Sequence, residues 1–220
     1  MAARRSAPAV LPPAPRGLLG LIAVLAALVV VALGVRYAGH GEPGAGDGWI
    51  QSAVDGVRPP WRYLALATDF LAEPLGAAAL VVVTVTGCLL LRHPRAAVLV
   101  VVGAGLTVGT TKLLKPLVGR TIHGPDNLSY PSGHTAFLTA LALVVALLVT
   151  GRLGLGRTAG TVLVLGAALV AGAAMGWAQV ALGAHYPTDV LGGWCTALAV
   201  VPATAWLVDR VADSGRRERH

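Results

Sequence analysis

The stretch Leu128-Ser-Tyr-Pro-Ser-Gly-His-Thr-Ala-Phe137 sets a polar tetrad, Pro131-Ser132-Gly133-His134, directly before an apolar run that continues to residue 150. A run of that length suits the hydrocarbon core of a bilayer. The tetrad therefore stands where a membrane helix begins. The rest of the chain is of the same kind: 55% hydrophobic, 12% charged, with a mean hydropathy of +0.72, outside the usual composition of soluble domains. The expected fold is all-α, an integral membrane six-transmembrane-helix bundle.

The six spans are expected at about 17–36, 75–91, 96–114, 134–150, 158–181 and 187–208. The first follows Arg4, Arg5 and Arg16. Its apolar core exceeds that of a signal peptide and no Ala-x-Ala site follows, so it reads as a retained helix. Residues 1–16 read as a disordered cytoplasmic N-terminus and 209–220 as a cytoplasmic basic tail, flanking a membrane domain at 17–208 whose motif core is 112–189.

With the N-terminus inside, the cytoplasmic segments hold eleven of the seventeen Lys and Arg residues. Three of the other six, Lys112, Lys115 and Arg120, lie beside the tetrad and read as chemistry rather than topology. Both termini are thus expected in the cytoplasm and the tetrad on the extracytoplasmic face of the cell membrane. The net charge of +7 is scattered in short clusters between apolar runs, which argues against a nucleic-acid partner. Cys88 and Cys195, both inside apolar runs, read as packing residues. Segment 61–74 reads as an interfacial helix ending near Pro74. Its Asp69 and Glu73, four apart, are expected to form a polar interfacial face rather than a catalytic or metal pair.

Three clusters share the outer face: Lys112 to Arg120, Pro131 to His134, and His185-Tyr-Pro-Thr-Asp189. Free N–H groups at the start of the fourth span, around Ser132, Gly133 and His134, favour an anion, and Lys115 and Arg120 add fixed positive charge. That combination suits a phosphate. Phosphoryl transfer also needs a nucleophile and a proton for the leaving oxygen. His185, with Asp189 four residues on to orient its ring, reads as the nucleophile and His134 as the acid. A two-His-one-carboxylate metal site on His134, His185 and Asp189 is the competing reading, disfavoured because Lys115 and Arg120 would repel a divalent ion.

The clusters resemble the tripartite signature of the type-2 phosphatidic acid phosphatase family, membrane lipid phosphatases related to vanadium haloperoxidases. That pattern runs Lys-x6-Arg-Pro, then Pro-Ser-Gly-His, then Ser-Arg-x5-His-x3-Asp, and the resemblance covers about residues 75–208. It implies a phosphohistidine at His185, support from Asp189, protonation by His134, and no cofactor or metal. Two arginines of the pattern are missing: counted from Lys115 its Arg-Pro falls on Ile122 and His123, and its Ser-Arg on Ala178 and Gln179. Arg120 matches an additional arginine of many members, and Gln179 can still donate hydrogen bonds. The expected phosphate-binding set is thus Lys115, Arg120, Ser132, Gly133 and Gln179.

The function expected is hydrolysis of a lipid phosphate or polyprenyl diphosphate, with membrane lipids as the surroundings. A degenerate lipid-phosphate binder is the alternative. A transporter ranks below both, because the ionisable residues gather near one face and no repeat-related pair of broken spans is present.

Overall fold

Eight helices and no strand organise the described residues, 8–54 and 56–217, of the computed structural model. They are α1 (Arg16–Arg36), α2 (Ala45–Val54), α3 (Trp61–Phe70), α4 (Pro74–Leu90), α5 (Pro94–Val118), α6 (Gly133–Arg152), α7 (Arg157–Ala181) and α8 (Pro187–Arg217). The boundaries follow local chemistry. Pro74 and Pro94 open α4 and α5, where a missing N–H costs nothing. Gly119, at φ 65°, ends α5 in the left-handed conformation.

Five helices (α1, α5, α6, α7 and α8) are long and apolar enough to cross a membrane, and α3 with α4, bent by 62°, adds a sixth when the bent pair is taken as one span. At that bend Gly76 lies against the Phe70 carbonyl, where a Cβ would fall 2.0 Å from the oxygen. The six expected spans thus correspond to α1 and α4 to α8. Segment 61–74 is helical from Trp61 to Phe70, as α3, and the Gly-rich stretch 39–48 runs into α2, which the sequence had not suggested.

α6 and α8 form the centre, with Leu143, Val144, Leu147, Ala197 and Val201 fully buried, whereas α1 turns Leu21, Val24, Leu28 and Val31 outward. Lipid tails are as apolar as leucine, so packing rather than water exclusion must hold such helices together. Small residues allow it. Gly172 and Gly176 of α7 sit so near Trp194 and Val190 of α8 that an added Cβ would come within 2.2 and 2.3 Å.

At the far end of the bundle, Asp209 of α8 accepts the main-chain N–H groups of Val10 and Leu11 at 2.9 Å each and pairs with Arg95 at 3.1 Å. Arg95 also reaches Asp213. Residues 8–15 are therefore tied down, with Val10 and Leu11 buried, which corrects the expectation of disorder there. Residues 1–7 and 218–220 of the expected termini lie outside the described residues. The segment 209–217 is not a separate tail, because α8 continues through it. Residues 8–15 and the end of α8 meet at this face, and α5 runs from Arg95 here to Lys115 at the opposite one.

Candidate active site

The three clusters converge at that opposite end. The link between the second and third is main-chain: Ser132 N–H donates to the Asp189 carbonyl at 2.9 Å. Ser132 is the N-cap of α6, its hydroxyl accepting from the Thr135 N–H at 3.4 Å and lying 3.1 Å from the Thr135 hydroxyl. It is fully buried. The Ser132 N–H, expected among the amides free for an anion, is thus taken by the Asp189 carbonyl, and its side chain caps the helix. The N–H groups of Gly133 and His134 have no hydrogen-bond partner among the described residues, so the anion-binding end of α6 is open where Gly133 and His134 line a cavity.

His185 lies in the turn between α7 and α8 and is 8% exposed. Its Nδ1 is 3.7 Å from Asp189 Oδ2 and has no hydrogen-bond partner. The two share a face as expected but stand just beyond a direct hydrogen bond. Burial pulls the His185 pKa below the ordinary imidazole value, opposed by Asp189 and assisted by the charges of Lys115 and His134. A neutral ring leaves one nitrogen with a free lone pair.

Asp189 is held elsewhere. Its Oδ1 accepts from Arg120 Nη1 at 2.6 Å and its Oδ2 from the Tyr186 N–H at 3.0 Å. Arg120 is fully buried between the rings of Tyr37 and Tyr186, 4.0 and 4.4 Å from their centroids, and its Nη2 pairs with Asp47 of α2 at 2.7 Å. It does not line the cavity. Expected as a phosphate ligand, Arg120 instead has both ends of its fork engaged by carboxylates in this structure.

Gln179 is also committed. Its amide donates to Asp69 Oδ1 at 2.6 Å, and it is 1% exposed. Asp69 and Glu73, across the bend between α3 and α4, bring carboxylates to within 3.7 and 3.4 Å of His134 Nε2. The two acids thus stand toward His134, which the interfacial reading had not suggested. Asp69, Glu73 and His134 each place one ligand atom within 4.8 Å of the others, a set different from the His134, His185 and Asp189 trio weighed from sequence. Ile122, at the missing arginine position, is buried, and His123 turns to the Gly183 carbonyl at 2.8 Å.

Lys115 bonds the Leu128 carbonyl, and with Lys112 one turn away it lines a cavity of about 720 Å³ together with Glu73, His134 and His185. The same cavity continues between α4, α5 and α6 along Ala77, Val81, Val101, Val108 and Phe137. A charged end thus opens into an apolar channel. Sequence reasoning missed Asp47 altogether; its only signal was an acid isolated in a glycine-rich loop.

Among solved structures, the chain resembles one described as the first transmembrane PAP2 type phosphatidylglycerolphosphate phosphatase from Bacillus subtilis. The match has a TM-score of 0.66 and 22% identity, over 87% of this chain and 96% of the other. No curated protein matches. The PAP2 superfamily model matches residues 75–213, which include the second span, the cavity-lining lysines, both histidines and Asp189. With that match spanning well over half of the chain, and the three clusters gathered at one end of a six-span bundle, this protein belongs to the PAP2 superfamily, the type-2 phosphatidic acid phosphatases.

Proposed function

We propose that this protein is a metal-independent phosphatase that hydrolyses a lipid phosphate or polyprenyl diphosphate through a phosphohistidine, at the extracytoplasmic face of the cell membrane. The observation that carries the reading is the single cavity joining Lys115, His134 and His185 to an apolar channel between α4, α5 and α6. A polar head and a hydrocarbon tail on one molecule fill such a space. The basic bias of the opposite face supports the orientation.

In this mechanism the free ring nitrogen of His185 attacks phosphorus while Lys115 and the Gly133 and His134 N–H groups hold the equatorial oxygens. The P–O bond to the lipid breaks, and the leaving oxygen takes a proton from His134. Water then gives a proton to His134 while its oxygen attacks phosphorus; a P–O bond forms, the P–N bond breaks, inorganic phosphate is released and the His185 ring nitrogen regains its electron pair. Fixed cations and amides supply the charge that a metal otherwise would.

The test is phosphate release by detergent-purified protein in EDTA from phosphatidate, phosphatidylglycerophosphate and undecaprenyl diphosphate, beside His185→Ala. Release that EDTA spares and His185→Ala abolishes is the expected result. Release unaffected by His185→Ala would overturn the mechanism.

A second reading has its own observation. Arg120 and Gln179 are engaged internally, which leaves fewer donors for phosphate than the family pattern provides. A non-catalytic lipid-phosphate binder would show saturable lipid binding without release or a phosphoenzyme.

A further inference from the structure

The contacts of Arg120 have a geometry that the phosphatase reading does not itself require. One guanidinium is shared between two carboxylates, Asp189 of α8 at 2.6 Å and Asp47 of α2 at 2.7 Å. All three side chains are fully buried. Asp47 does more than pair with it: its Oδ1 accepts the Thr188 N–H at 2.8 Å and its Oδ2 the Thr188 hydroxyl at 2.9 Å. A side chain from α2 thus caps the first turn of α8, the turn that carries Asp189. Asp47 and Tyr37 both lie outside residues 75–213, the part matched by the family model.

The three charges leave one net negative charge in an enclosed place. Such a charge is costly unless something nearby uses it. The group placed to do so is His185, whose unpartnered Nδ1 lies 3.7 Å from Asp189. When the other ring nitrogen takes a phosphoryl group, the imidazole becomes cationic, and a net negative unit beside it favours that state. In a simple one-to-one Arg120–Asp189 pair, the carboxylate would be neutralised by its own partner.

Resting on the phosphatase reading, we propose that Asp47 and Arg120 are positioning residues for His185: they fix the Asp189 carboxylate and, by sharing one guanidinium, leave it negatively charged toward the ring. Neither touches the substrate.

The test uses the full-length protein in lipid nanodiscs, with turnover of the panel lipid that the wild type hydrolyses fastest. Orthovanadate affinity by calorimetry reports on the same site without turnover. Asp47→Asn is expected to lower kcat about tenfold with KM changed less than about threefold, and to weaken orthovanadate binding about tenfold. Asp47→Glu should recover part of the loss. Arg120→Lys, whose ammonium cannot span both carboxylates, should lower kcat in the same way. Wild-type kcat and orthovanadate affinity in a folded Asp47→Asn protein would overturn the proposal. So would a loss that merely follows the folded fraction, with no recovery in Asp47→Glu. If the wild type binds orthovanadate yet releases no phosphate, the phosphatase reading fails while the affinity series still decides this one. If it does neither, both fall.

Discussion

Ser132 and Asp189, 57 positions apart, are joined main chain to main chain, N–H to carbonyl, at 2.9 Å. The bond holds the start of α6 against the start of α8 and sets the distance between the open amides and His185. Beneath it Gly193 leaves no room: a Cβ there would fall 2.3 Å from Ser132 O and 3.3 Å from Ala136 N.

Gly193→Ala is therefore expected to destabilise the protein by about 1–3 kcal/mol and to reduce phosphate release, although Gly193 does not line the cavity. Thermal unfolding and a release assay on the same preparation check both effects.

The pH profile follows from His185. Its folded pKa is lowered by burial, so the ring proposed as nucleophile stays neutral to below the ordinary imidazole value. The acidic fall in kcat/KM is expected below about pH 6.5. Stability has the same sign. The unfolded chain binds the proton first, so stability falls as pH drops through the unfolded value and levels off below the folded one. His185→Ala should remove that part of the acid destabilisation, measurable as unfolding temperature against pH.

Lys115→Met should raise KM by about tenfold or more, because it removes a fixed cation from the phosphate end of the cavity. The apolar channel is untouched, so binding of uncharged lipid analogues should be retained. Steady-state kinetics with a competition assay separates the two.

EDTA is expected to leave release unchanged. Loss in EDTA with recovery in added manganese would instead assign Asp69, Glu73 and His134 as ligands, the three whose donor atoms lie within 4.8 Å. Asp69→Asn and Glu73→Gln would then lose the recovery.

Asp209→Ala removes the acceptor of two main-chain N–H groups and one partner of the buried Arg95. A loss of about 3 kcal/mol is expected, read as a lowered unfolding temperature.

The membrane spans were legible because a bilayer imposes one length and one hydropathy on every helix that crosses it. That His134, His185, Asp189 and Lys115 collect at one end was legible because each stands at the end of such a span, on the same side. The partners of Arg120 were not legible, for a physical reason. Spacing places an arginine next to a phosphate site, but only packing shows whether its fork faces the cavity or two buried carboxylates. Ser132 and Gln179 share that history, the Ser132 N–H taken by the Asp189 carbonyl and the Gln179 amide by Asp69.

Asp69 and Glu73 had a helical face in common, and that much was readable. That the face meets His134 depends on the 62° bend between α3 and α4. By itself the sequence determined the class of the fold, the count and order of the spans, and the end of the bundle where the ionisable residues collect, since those depend on composition along the chain. Only the tertiary structure decided which of those residues face the cavity and which face one another. A buried charge must find its partner wherever packing brings one, here Asp47, 73 positions from Arg120, and no periodicity in the sequence records that distance.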